Sequence, residues 1–309
     1  MVYLTTAKYG KDKVRVSRVV RRPDGTHEFV EYVVRCLVEG DVERAWTHSD
    51  NKPIVATDTV KNTVNVFAKS SPHVLQPELF ALDIALHFVT TYAHLDRCSV
   101  DIVQLKWSRI PVQGKPHKHS FVRNGEDKRT VSVVVDATKG KNQISATCTS
   151  GLKDLLVLKT TESSFEDFYV DKYTTLKPVN DRIFSTSVDC TYQIPIPSSA
   201  LTAAALPKLG IDFDTIHQSV VDTTLEVFAT HNSASVQATL YIMCEKVLKD
   251  NKHVSGIKYE LPNKHYIAPP LDFVGLKNTE PKDAEVFVPV DAPSGYIIGE
   301  VQREPKAKL

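Results

Sequence analysis

The chain has 309 residues, 42% hydrophobic and 24% charged, with a formal net charge of +1. That balance fits a folded, soluble protein of one large domain or two ordinary ones, and it offers no broad basic field for nucleic acid or an anionic membrane. Apolar runs are a few residues long, so no segment is expected to span a bilayer, and the opening MVYLTTAKYGKDK has no apolar core of signal-peptide length. Cys36, Cys98, Cys148, Cys190 and Cys244 are scattered without metal-ligand or redox spacing and read as reduced thiols of an intracellular compartment.

In chain order, KVRVSRVV (13–20) and EFVEYVVRCLVEG (28–40) alternate in polarity around the turn RRPDGT, and Val30, Tyr32, Val34, Cys36 and Val38 share one strand face. NTVNVFAK (62–69) reads as a further strand. A helix opens at Pro77, with Leu82, Leu86, Val89 and Ala93 at helical spacing. Strands are expected near 99–110, 117–123 and 130–136. The second half repeats the theme: strands near 143–150, 153–160 and 184–193, helices near 212–230 and 234–249, then strands near 254–261, 264–273, 285–289 and 296–303. There is no βαβ alternation and no glycine-rich phosphate loop, which argues against a dinucleotide fold. The expected class is α+β, with antiparallel sheets backed by helices twice over. The short polar ATKGKN marks the boundary between an N-terminal domain, 1–140, and a C-terminal domain, 141–309. The segment 193–210 reads as a surface loop with a short helix and receives no role.

Several residues invite chemistry. Lys11 follows Gly10 at a strand entrance; most lysines are solvated charges. Thr57 and Asp58 form a turn or helix start, or a hydroxyl with exposed amides facing a ligand. His117 and His119 are two apart on one strand face, but no third ligand is spaced nearby, so a hydrogen-bonded pair is favoured over a metal site. In YELPNKHY the strand-like run ends at Leu261-Pro262, leaving Asn263, Lys264 and His265 beyond it. The ending Ala307-Lys308-Leu309 approximates the Ser-Lys-Leu peroxisomal address.

The stretch LLVLKTTESSFEDFYVDKYTTLKPVNDR (155–182) resembles the signature of the urate oxidase (uricase) family. The matching positions are Leu155, Val157, Leu158, Lys159, Thr160, Thr161, Ser163, Phe165, Phe168, Tyr173, Leu176 and Arg182. YGKDKVRV, IVATDTVKNT, GKPHKHSF, DRIFSTSVDCTY, NSASVQATLY and LPNKHY resemble the family as well, so the likeness covers nearly the whole chain.

The resemblance implies oxidation of urate by dioxygen and water to 5-hydroxyisourate and hydrogen peroxide, with no metal and no organic cofactor. It also implies two tandem T-fold domains per subunit, with helices outside, and a homotetramer enclosing a barrel-like tunnel, each site lying between two subunits. The family's motif positions imply that Arg182 and Gln237 grip the ring, Phe165 stacks beneath it and Val236 offers a backbone N–H. Thr57 and Asp58 approach from the other subunit. Asn263 clamps dioxygen and then water above the ring, and Lys11, Thr57 and His265 relay protons. Lys264 is read as structural. The C-terminal tripeptide, by the same resemblance, addresses the peroxisomal import receptor. Two other readings remain open at this point: a pterin-type T-fold enzyme, and an inactive purine-binding or structural oligomer.

Overall fold

A computed structural model describes residues 2–304. The tripeptide Ala307-Lys308-Leu309 lies outside the described residues. Among the described residues, eight strands and five α-helices follow in chain order: β1 Lys8–Arg21, β2 His27–Gly40, α1 Glu43–Thr47, α2 Thr57–Ser70, α3 Pro77–Thr91, β3 Leu95–Val112, β4 Lys115–Asp136, β5 Ser145–Lys159, β6 Phe184–Ile196, α4 Phe213–Thr230, α5 Val236–Asp250, β7 Gly256–Ile267 and β8 Val288–Gln302. Strand order follows chain order. The class is α+β, with antiparallel pairing wherever partners are assigned: β1 with β2, β2 with β3, β3 with β4, and β7 with β8.

The chain forms two compact units. The first comprises residues 1–151 and 192–217, and the second residues 152–191 and 218–309.

In the first unit, the alternation in β2 does what its sequence requires. Tyr32, Val34, Cys36 and Val38 are wholly buried, and their neighbours on the other face are not. Helix α2 packs on β1, and α3 packs on β3 and β4. The segment 62–69 is helical, not a strand. Val60, Val64 and Ala68 recur every four residues and are buried, whereas Val66, which strand alternation would have put beside Val64, is 59% exposed. Helix α3 is buried over most of its circumference, Glu78 and Phe80 included, so a single stripe understates it. Ala93 lies beyond its end.

The expected strands at 117–123 and 130–136 are one long strand, β4. Those at 143–150 and 153–160 are likewise one, β5, which continues through Asp154 at φ 61 because the Asp154 N–H donates to Asp189 Oδ1 at 2.9 Å. Segment 193–210 is only partly a surface loop: two short 3-10 turns flank Ala203 and Leu206, which are buried.

A buried charge cluster ties the first unit together. Arg129 on β4 donates to both Glu78 carboxylate oxygens, at 3.1 and 2.7 Å, and to Asp214 Oδ1 at 2.6 Å. Ser150 donates to Glu78 at 2.7 Å. Burial opposes the charge on Arg129, but the flanking carboxylates outweigh it and hold the guanidinium firmly protonated. Burial, with the Arg129 charge next, pushes His217 down to about 3, so its ring stays neutral.

In the second unit, α5 packs on β7 and β8. Strand β7 does not stop at Pro262. The ladder continues through Pro262 opposite Tyr296, Asn263 opposite Gly295 and His265 opposite Val290, with a register shift between Asn263 and His265. The proline forfeits its own N–H, but pairing on either side carries the strand past it.

Candidate active site

The first unit holds Lys11, Thr57 and Asp58. Lys11 sits where the β1–β2 register shifts, with Lys13 just beyond at φ 55. Such an irregularity re-aims a side chain that regular pairing would commit to one face. Gly10 makes the approach possible: a Cβ there would lie 1.9 Å from the Cys36 carbonyl oxygen. The Tyr9 hydroxyl accepts the Val55 N–H at 2.8 Å, fastening β1 to the segment leading into α2.

Thr57 is the first residue of α2, and no side chain caps that end, Ala56 being the N-cap. The earliest N–H groups of a helix have no intrahelical acceptor, so the first turn presents donors and a partial positive charge. The Asp58 side chain does not compete for them. It folds along its own helix, taking Lys61 Nζ at 2.6 Å and Asn62 Nδ2 at 2.8 Å. The Lys61 hydrogen bond chiefly holds the Asp58 carboxyl below its usual range, with the Lys11 charge adding a smaller push in the same direction.

The second unit holds the other residues that the sequence singles out. Loop 162–165 is sewn to loop 231–235: Ser164 N–H donates to Ser233 O at 2.8 Å and Ser233 N–H to Glu162 O at 2.9 Å. Phe165 and Val179 exchange backbone hydrogen bonds at 2.7 and 3.1 Å, and Arg182 N–H donates to Ser163 O at 2.8 Å. These bonds set the Arg182 guanidinium over the Phe165 ring, 5.3 Å from its centroid, while Phe168 stacks on Phe165 at 5.1 Å. Burial lowers the Arg182 pKa from the ordinary guanidinium value, which still leaves a cation at neutral pH. Lys159, from the same signature, donates to His231 O at 2.6 Å and has its pKa lowered by burial.

Val236 and Gln237 open α5. Ser235 caps it, its Oγ accepting the Ala238 N–H at 3.1 Å. A buried relay supports the cap: Thr239 Oγ1 donates to Ser233 Oγ at 2.8 Å, and Ser233 Oγ donates to Ser235 O at 3.0 Å. Val236 is buried and the Gln237 side chain is exposed. Removing the cap should therefore act on both stability and the site. Ser235→Ala is expected to lower stability by about 1 kcal/mol and to weaken the ligand binding that the family resemblance implies for Val236 and Gln237. Denaturation midpoints and analogue titration check the two effects separately.

Asn263 and His265 lie on β7, Asn263 buried and His265 partly exposed. Lys264 between them pairs with Asp291 Oδ1 at 3.0 Å.

The structure thus gathers Lys11, Thr57 and Asp58 in one unit, and Phe165, Arg182, Val236 and Gln237 in the other, with Asn263 and His265 on the strand against α5. Reading the sequence missed the supports, Tyr9 with Val55 and Ser163 with Ser233. Ser235 alone carried a legible sign, a capping residue directly ahead of a helical apolar run. His117 and His119 meet edge to face with centroids 4.6 Å apart, and His27 from β2 approaches His119 at 5.7 Å. Among the described residues no group of three or more His, Cys, Asp or Glu side chains is placed to hold a metal ion.

The uricase family model matches residues 7–134 and 148–298. The chain belongs to the uricase family. It is 42% identical to the uricase of Aspergillus flavus over 100% of both chains. It is 40% identical to that of Schizosaccharomyces pombe over 98% of each. The crystal structure of the Arthrobacter globiformis uricase superposes with a TM-score of 0.86 at 33% identity, covering 98% of this chain and 96% of that one. The uricase signature is therefore seated in a uricase fold, and its Phe165 and Arg182 are the pair that the backbone bonds above bring face to face.

Proposed function

We propose that this chain is a urate oxidase, converting urate, dioxygen and water to 5-hydroxyisourate and hydrogen peroxide. The observation that carries the reading is the Arg182 guanidinium held over the Phe165 ring beside the start of α5, in a chain that matches uricases from end to end. A flat purine anion needs both parts of that arrangement: a planar fork of donors for its edge and an aromatic face for its ring. Gln237 adds one donor and one acceptor, which suits a ring N–H beside a carbonyl. Loss of urate absorbance with matching peroxide release by the purified protein tests the proposal, and absence of turnover would leave the inactive-oligomer reading standing.

The reaction needs no organic cofactor in this reading. Once deprotonated, urate is electron-rich enough to pass electrons to dioxygen itself, and Asn263 holds the oxygen and then the water over the ring. Lys11, Thr57 and His265 move the protons. Activity should accordingly survive exhaustive chelation; stoichiometric copper, iron or zinc whose removal abolishes turnover would refute the cofactor-free scheme.

The same reading carries two tandem T-fold domains, 1–140 and 141–309, in a homotetramer with a central tunnel and sites shared between subunits. It also carries import into the peroxisome through Ala307, Lys308 and Leu309. Signature residues Tyr173 and Leu176 are 79% and 55% exposed in the single chain, which supports their being covered on assembly. Shared sites make a distinctive prediction. Thr57→Ala and Arg182→Ala chains, each inactive, should regain partial activity when mixed as hybrid oligomers. No recovery despite proven subunit exchange would locate each site within one chain.

A further inference from the structure

The peptide unit joining Ser235 to Val236 is held at its carbonyl end. A trans peptide is planar, so its C=O and its N–H point in opposite directions from one rigid plate. Whatever fixes the Ser235 carbonyl therefore aims the Val236 N–H, the donor that the family resemblance gives to the ligand. That carbonyl accepts the Thr239 N–H at 3.2 Å and the Ser233 hydroxyl at 3.0 Å.

The direction of the side-chain relay behind it follows from counting hydrogens. His231 Nδ1 lies 3.1 Å from Thr239 Oγ1, Thr239 Oγ1 lies 2.8 Å from Ser233 Oγ, and Ser233 Oγ lies 3.0 Å from Ser235 O. Each of these hydrogen bonds needs a hydrogen; each hydroxyl supplies one and a carbonyl supplies none. The remaining one must come from the imidazole, so the relay runs one way, from His231 Nδ1–H through Thr239 and Ser233 to the carbonyl. The longer approach of Thr239 Oγ1 to Ser235 O, at 3.3 Å, shares the Thr239 hydrogen. Ser233 and Thr239 are wholly buried, so water is no substitute partner for either. Burial, with the Lys159 charge next, lowers the His231 pKa and favours the neutral ring. Lys159 Nζ holds the backbone of the same residue, donating to His231 O at 2.6 Å.

Ser233 also faces the other way. Its N–H donates to Glu162 O at 2.9 Å and its carbonyl accepts the Ser164 N–H at 2.8 Å, so its backbone is fastened to the loop that carries Phe165. We propose that Ser233, oriented by Thr239 and His231, is a positioning residue that fixes the Val236 N–H relative to the Phe165 ring. That the ligand so placed is urate rests on the function proposed above; the one-way relay does not.

Kinetics and binding on the full chain test the role. Ser233→Ala and Thr239→Val should each raise KM for urate, and the dissociation constant of a urate analogue, by roughly tenfold, about the worth of one well-made hydrogen bond. Turnover at saturation should stay near that of the parent, because an N–H that grips ground and transition states alike changes KM alone. Thr239→Ser keeps the hydroxyl and should behave as the parent, which guards against a packing defect as the cause. Nitrogen-15 spectra of the imidazoles in mildly alkaline buffer read the relay without any substrate. His231, assigned by the signal missing in His231→Gln, should be the Nδ1–H tautomer in the parent and lose that signature in Thr239→Val. An Nε2–H tautomer in the parent, lowered stability without a change in KM, or equal losses in Thr239→Ser and Thr239→Val would overturn the proposal. A parent inactive toward urate would remove the functional reading and this role together, an outcome visible before any variant is made.

Discussion

Replacing Lys11 by Met should cut urate turnover by roughly 10²–10⁴-fold, the usual cost of losing a positioned proton-transfer group, while leaving affinity for urate analogues close to that of the parent. The split follows from where the residues sit. Lys11 belongs to the β1 irregularity, on the strand against which α2 packs, and its charge helps lower the Asp58 pKa. The groups proposed to grip the ring, Arg182 over Phe165 and Gln237 on α5, belong to segments fixed by hydrogen bonds within the other unit, and Lys11 takes part in none of those. An interaction used mainly in the transition state lowers kcat with little change in ground-state binding. Turnover and analogue titration on the same preparation decide the matter. Near-normal turnover, or a loss confined to binding, would show that Lys11 is not the proton-moving group.

The largest stability effect should come from Glu78, which takes no part in this chemistry. Its side chain is 1% exposed and receives Arg129 through two hydrogen bonds and Ser150 through a third. Glu78→Ala leaves a buried guanidinium with Asp214 alone, and breaking a buried pair in this way typically costs about 3–5 kcal/mol. That is a large share of the roughly 5–15 kcal/mol by which folded proteins exceed their unfolded states. The double replacement Glu78→Met with Arg129→Met should recover much of the loss, because the pair's attraction mainly offsets its own desolvation. Denaturant unfolding of the parent, the single and the double variants measures both. A single variant within about 1 kcal/mol of the parent would mean that water reaches the cluster and screens it.

The sequence by itself determined the fold class and the family of this protein. Alternation along 28–40 identified a buried strand face, because side chains in a strand must point to opposite sides. The signature through Phe165 and Arg182 named the family, because so many positions are specified together. It misread the segment at 62–69, where Val64 and Val66 suit strand alternation as well as they suit a helix; only packing against β1, which buries Val64 and exposes Val66, separates the two. It ended β7 at Pro262, because a local rule about proline cannot anticipate the pairing with β8 that carries the strand on to Ile267.

Tertiary structure alone decided the rest, and for one reason: the contacts are long in sequence and leave no local mark. Tyr9 finds Val55, Ser163 finds Ser233, and Glu78 finds Arg129. Each of these residues reads, in its own stretch of chain, as an ordinary turn, surface or strand residue. The free energy that makes them otherwise comes from burial, which removes water as the alternative partner and leaves each polar group dependent on whatever the fold brings beside it.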